Sequence, residues 1–333
     1  MDYRSDSPQV LVDFLTYHET IRSHSKATVD EYYLDLRNFL RYLKILRGIV
    51  PKDTPFEQIG ILDVDVDFLG KVTLTEVYAY LSYLSRDRVR SQRSHVAEYG
   101  LSPSTRARKI ATIRSFYRYL CTKAKLLSEN PVQDLDSPKL KKSLPRYLTL
   151  DESRALLQAV DGKNAERDYC ILCIFLNCGL RISEIVGLNI QDFQSDHLRV
   201  LGKGNKERIV FLNDATVDAI NAHLDLRKLV KSPDGNAMFL SSRRNRISRE
   251  TVHSMVKKTL LKAGLDSTQY SAHKLRHTAA TLMLQNGVDV RTLQEVLGHE
   301  NLNTTQIYTH VDDASLRIAA QSNPLGSFRP KKK

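Results

Sequence analysis

The sequence predicts a mainly helical chain of two domains: an N-terminal helical bundle, then a C-terminal mixed α/β domain with a small antiparallel sheet. Three observations carry this. A length of 333 residues exceeds one ordinary domain and is enough to bury two apolar cores. Apolar residues recur every three or four positions over most of the chain, as in amphipathic helices. That period breaks between residues 198 and 212, where short strand-like runs flank a turn rich in Gly and Asn. With 41% hydrophobic and 26% charged residues but only 14 Gly and 10 Pro, the composition excludes disordered, collagen-like and low-complexity classes.

In chain order, the first helix is expected over Val10 to Thr20. A second runs from Thr28 to Leu43 through Val29, Tyr32, Leu36, Phe39, Leu40 and Leu43, with Ser25 as a nearby cap. Residues 48–72 hold Gly, Pro and several Asp without helical period and read as an extended loop. Helices follow over Thr73 to Leu84 and over Thr105 to Leu120, the latter entered at Ser102-Pro103 and carrying Ile110, Ile113, Phe116, Tyr117 and Leu120. These make a bundle over 1–136. The stretch from Asp136 to Pro145 has two prolines, three lysines and little apolar period, so a linker is placed at 137–147.

The second domain is expected over 148–323, followed by a basic tail at 324–333. Thr149 followed by Glu152 opens a helix reaching Val160, and Arg167 to Cys178 is apolar enough for a buried helix. Leu198 to Leu201 and Arg208 to Leu212 flank Gly202-Lys203-Gly204-Asn205-Lys206-Glu207 as a hairpin. Helices resume over Asp214 to Val230, Ser248 to Ala263, His273 to Asn286, Val290 to Leu297 and Asp312 to Ala320.

Fifty Lys and Arg against 38 Asp and Glu give a net charge of +12, which favours a polyanionic partner. No stretch of 18 apolar residues occurs, and the first ten residues lack a basic region followed by an apolar run. No membrane partner and no secretory signal are therefore expected, and a cytoplasmic location is. The basic excess is uneven: Arg86 to Lys125 carries eleven Lys or Arg and two acids. On the 105–120 helix, Arg106, Lys109, Arg114 and Arg118 are expected to track phosphates of double-stranded DNA while the apolar side packs. A solvated surface is the alternative.

Several motifs fail as chemistry. Cys170 and Cys173 have zinc-like spacing but no second ligand pair, and with Cys178 they sit in an apolar run, so they read as core thiols. His273 and His277 are four apart, yet Lys274 stands where a zincin needs Glu. The glycine turn at 202–206 lacks P-loop spacing and lies between two strands. Metal and nucleotide chemistry lose their best candidates.

What remains is a set of cations and a tyrosine: Arg181 in GLRISE, Lys203 in GKGNKER, His273 and Arg276 in HKLRH, His299 in LGH and Tyr308 in TTQIYTH. In this order and spacing they resemble the tyrosine recombinase (phage integrase) family, and the wording of the segments resembles its Xer-like branch. The resemblance reaches into the first domain, where FLTYHETIRSHSKATVDEYYLDLRNF is similar to the start of the family's SAM-like helical core-binding domain. Residues 48–72 and 86–100 depart from it in being longer than compact members need.

The resemblance implies metal-free DNA strand exchange with no cofactor. Tyr308 would attack the scissile phosphate to form a 3′-phosphotyrosine, a step that needs help because a free phenol has a pKa of about 10. Arg181 and Arg276 suit the non-bridging oxygens, since a guanidinium is a planar, permanently charged fork of donors. His299 would be a further donor, His273 a proton shuttle, and Lys203 the general acid for the 5′-oxygen, with Lys206 as its rival. It also implies a tetramer on two DNA sites, formed with itself or a paralogue. The helix after Tyr308 would dock on a neighbour through Leu316, Ile318 and Ala319, or pack on its own domain. Chromosome dimer resolution is the expected role, because the chain starts directly with the core-binding helices. A mobile-element integrase, a type IB topoisomerase-like relaxing enzyme and a DNA-binding protein with an idle site are the alternatives.

Overall fold

The computed structural model describes residues 3–91, 98–137, 146–202, 206–298, 318–319 and 321–326. The chain forms two compact units, Met1–Ser143 and Leu144–Lys333.

In the first unit, α1 (Gln9–Thr16) runs into a π-helical turn, Tyr17–Ile21. Then come α2 (Lys26–Leu46), α3 (Val66–Gly70), α4 (Leu74–Arg86), a short hairpin of β1 (Val89–Ser91) and β2 (Glu98–Tyr99), and α5 (Pro103–Thr122). The helix starts have local causes. The Ser25 hydroxyl accepts from Thr28 N–H, Thr73 and Glu76 form a reciprocal capping box, and Ser102 caps α5 with Pro103 just inside. Phe14, Leu36, Phe39, Leu40, Tyr80, Ile113 and Phe116 meet in one core.

Residues 48–72 are less irregular than expected. They contain a 3₁₀ turn (Phe56–Gln58) and α3, which Asp65 caps by accepting from Phe68 N–H. A single turn is too short to show a period, which is why the sequence pattern misses it. Two cations of α2 and Arg47, its C-cap, hold the segment. Arg41 bonds the Glu57 carboxylate and the Ile59 carbonyl, Lys44 bonds Asp63, and Arg47 bonds the Phe68 carbonyl and Glu76.

The basic face of α5 does not include Lys109, contrary to the expectation from the sequence. Lys109 is 6% exposed, and its Nζ lies 2.6 Å from Asp35 Oδ1, inside the unit rather than on a phosphate-tracking surface. The reason is its place on the core stripe, one turn before Ile113 and two before Phe116. Arg106 and Arg114 are half-buried and Arg118 is exposed.

His18 should make this unit acid-sensitive. Its buried ring packs edge-on to Phe14, and its Nδ1 sits 3.3 Å from that of His24. Burial, then the neighbouring His24, lowers its pKa to about 4. The unfolded chain takes up that proton near pH 6.5 and the folded chain only near 4, so stability should fall as pH drops through this window and level off below it. Urea unfolding at pH 7 and pH 4.5 should differ by about 1–3 kcal/mol, and His18→Asn should shrink the difference. An unchanged difference in His18→Asn would assign it to other groups.

The second unit contains α6 (Leu150–Gln158), α7 (Ala165–Cys173), α8 (Ile182–Gly187), a three-stranded antiparallel sheet, α9 (Asp214–Arg227), α10 (Arg249–Lys262), α11 (Ala272–Gln285) and α12 (Val290–Leu297). The sheet runs β3 (Phe193–Gln194), β4 (His197–Leu201), β5 (Glu207–Phe211), with Val200 opposite Arg208. The two-residue β3 extends the expected hairpin to a third strand. The Thr149/Glu152 capping box forms as its spacing predicts. Helix α7 continues as a π-helical turn, Ile174–Cys178, through the middle of the core. Cys170, Cys173 and Cys178 are buried there, and burial pushes the Cys178 thiol up to about 12, as suits packing groups rather than reactive thiolates.

Most of the helix expected over Asp312 to Ala320, Leu316 included, lies outside the described residues. Beyond it, the Asn323 side chain donates to the Leu176 carbonyl and Leu325 is buried, so the chain is still part of the core at the start of the expected tail. Among the described residues no helix is long and apolar enough to cross a membrane.

Candidate active site

Helix α8 begins where the π-helical turn stops. Gly179 ends that turn at φ 62°, and a Cβ there would lie 2.7 Å from Leu297 Cδ2, so conformation and space both call for glycine. Two residues on, Arg181 occupies the N-cap of α8, and its N–H donates to Glu184 Oε2 at 2.8 Å. Its Nη1 donates to Glu184 Oε1 at 2.9 Å and its Nη2 to the Gly298 carbonyl at 3.1 Å.

Arg276 arrives from α11, on the helix face that also buries Leu275 and Ala279. Nη1 donates to the Gly179 carbonyl and Nη2 to the Leu297 carbonyl, both at 2.7 Å, while Glu184 Oε2 stands 3.8 Å away. The two arginines predicted for the phosphate therefore come together from segments almost a hundred residues apart. They hold the last two carbonyls before His299. Gly298 makes this turn in a left-handed conformation at the end of α12.

Electrostatics explain the arrangement. Arg276 is 5% exposed; burial first, then the charge of Arg181, lowers its pKa to about 10, so it stays cationic at neutral pH. Burial works to raise the Glu184 carboxyl, but the fork of Arg208, with help from Arg181, outweighs it and holds the carboxyl below its usual range. A single buried anion thus organises three guanidinium groups. Glu184 and Arg208 lie within GLRISE and GKGNKER, yet the sequence alone assigns them no role. The available signal is only their nearness in sequence to Arg181 and Lys203.

His273 lies one turn before Arg276 on α11 and is exposed, while the half-buried His277 ring meets Tyr147 edge-on. Burial, then the charges of Lys274 and His273, lowers the pKa of His277, which suits a neutral packing ring rather than a proton shuttle. The Gly202 N–H donates to the Lys206 carbonyl at 2.7 Å and closes the hairpin base. Lys203, His299 and Tyr308 lie outside the described residues.

Comparison with known proteins points to one family. The phage integrase family profile matches residues 146–315. Tyrosine recombinase XerC of Caldanaerobacter subterraneus subsp. tengcongensis is 50% identical over 319 residues, covering 96% of this chain and 87% of that protein. Tyrosine recombinase XerD of Staphylococcus aureus is 32% identical over 288 residues, 85% and 95% of the two chains. Among solved structures, the XerH site-specific recombinase in its post-cleavage complex with palindromic difH shares the fold, with a TM-score of 0.64 at 23% identity over 93% of this chain and 84% of that one. Two convergent arginines in a Xer-like sequence context, and relatives at this identity over nearly the full chain, show that the chain belongs to the phage integrase family, among its Xer-like tyrosine recombinases.

Proposed function

We propose that this recombinase exchanges DNA strands at specific sites through a 3′-phosphotyrosine intermediate, with resolution of chromosome dimers as its role. The observation that carries the chemistry is the pairing of Arg181 and Arg276 around Glu184. Each guanidinium has five N–H donors, and the contacts above engage two on each. The others suit a phosphate whose non-bridging oxygens gain charge as Tyr308 attacks. Fixed cations of this kind need no reorganisation at the moment of reaction.

In this scheme the Tyr308 oxygen displaces the 5′-oxygen at phosphorus. His299 adds a donor to the same oxygens, His273 takes up and returns the phenolic proton, and Lys203 protonates the departing 5′-oxygen. One phosphodiester replaces another of similar energy, so no nucleotide is consumed. A 5′-hydroxyl from the partner duplex then reverses the attack, and a second round completes exchange through a four-way junction. Four protomers on two double-stranded sites follow from this scheme, as one chain type or with a paralogue. Arg106, Arg114 and Arg118 of the first unit are assigned to phosphate contacts.

The test is a duplex nicked near the scissile bond, which traps the covalent intermediate. A DNA adduct that survives SDS and EDTA and maps to Tyr308 is the expected result. Tight binding without an adduct would mean an idle site. Relaxation of any supercoiled plasmid without sequence preference would mean a topoisomerase.

A further inference from the structure

Arg208 has no step in this chemistry, yet it touches the segments around those that do. It stands on β5, and its guanidinium takes both oxygens of Glu184, at 2.9 and 3.0 Å. Nε faces the Val296 carbonyl at 3.4 Å. A Cβ on Gly298 would lie 3.0–3.1 Å from its Nε, Cδ and Cζ, so the turn before His299 is moulded on this side chain. Gly202, next to Lys203, is a looser neighbour: a Cβ there would lie 3.5 Å from Nη1.

Glu184 is one negative charge among three guanidinium groups. Arg208 engages it bidentately, the strongest geometry for such a pair, whereas Arg181 reaches one oxygen with its side chain and Arg276 stays at 3.8 Å. A carboxylate left without Arg208 would turn to Arg181 and Arg276 and neutralise the charge a phosphate needs. We propose, on the basis of the recombinase reading above, that Arg208 is a positioning residue: it occupies Glu184 so that Arg181 and Arg276 remain available to the scissile phosphate, and it fixes the hairpin base against the turn leading into His299.

The experiment measures single-turnover cleavage of the nicked duplex by full-length protein, with DNA affinity and urea unfolding measured in parallel. Arg208→Gln should cleave roughly 10²-fold more slowly at nearly unchanged affinity. Adding Glu184→Gln to it should recover about tenfold, because the competing charge is gone. A purely structural bridge predicts no recovery, and that result would overturn the proposal. Wild-type speed in Arg208→Gln would overturn it too and leave the recombinase reading intact, whereas a wild type that forms no adduct would overturn both. Should Arg208→Gln fail to fold, Arg208→Lys keeps the charge without the fork. It should lose about tenfold in rate at a wild-type unfolding midpoint, and full activity there would equally reject the assignment.

Discussion

Arg276→Gln is expected to slow covalent strand cleavage roughly 10²- to 10³-fold, about 2.7–4 kcal/mol of transition-state stabilisation, without lowering the stability of the fold. Glutamine is shorter, its amide ending where Nε of the guanidinium stands, so the Gly179 and Leu297 carbonyls that Arg276 now holds lose their partner. The charge is lost as well. The folded state lowers the pKa of this guanidinium through burial and the repulsion of Arg181, so at neutral pH the charged form is less at home in the fold than in the unfolded chain. Removing it relieves that cost, which offsets the two lost hydrogen bonds, and the urea midpoint should stay close to that of the wild type. Activity down with stability held is what a site that keeps a destabilising cation for its chemistry predicts. Cleavage within about threefold of wild type would take Arg276 off the phosphate. A midpoint that drops with the rate would make it a structural residue.

Much of this molecule is legible in its sequence because local signals decide it. The Thr149/Glu152 box, Ser25 ahead of α2 and Ser102-Pro103 ahead of α5 mark helix starts that short-range hydrogen bonds then make. The hairpin of β4 and β5 shows as a change of period. Where the sequence is silent, the cause is long-range. Nothing near Glu184 announces that Arg208, twenty-four residues on, will take both its oxygens, since a strand, a turn and a helix must first pack. Residues 48–72 look irregular because their order comes from Arg41, Lys44 and Arg47 on and at the end of a helix already formed.

Lys109 shows the opposite failure, a charge pattern that overrode a packing pattern. Its position on the stripe with Ile113 and Phe116 is visible in the sequence, but eleven basic residues in one stretch suggest a uniform phosphate-facing surface. A buried lysine is tolerated only with a buried partner, and that partner, Asp35, lies on another helix.

Asp35→Ala should therefore be among the most damaging substitutions outside the catalytic unit, at about 3–5 kcal/mol. Asp35 is 1% exposed and accepts from Lys109 at 2.6 Å, from Arg108 at 2.6 and 3.1 Å and from Thr112 at 3.0 Å, joining α2 to α5. Truncation leaves the Lys109 ammonium in a site where burial already lowers its pKa despite the carboxylate. Arg108 loses less, because it also reaches Glu31 and is partly exposed. The double variant Asp35→Leu with Lys109→Met removes both buried charges and should recover most of the loss, since an apolar pair avoids the desolvation cost. It also tests whether Lys109 contacts phosphate. Each phosphate contact adds about 0.9 to the slope of log affinity against log salt. If Lys109 makes none, the double variant should bind DNA with the wild-type slope, whereas Arg118→Ala should bind with a shallower one. A double variant that folds but loses about one unit of slope would return Lys109 to the phosphate-facing set.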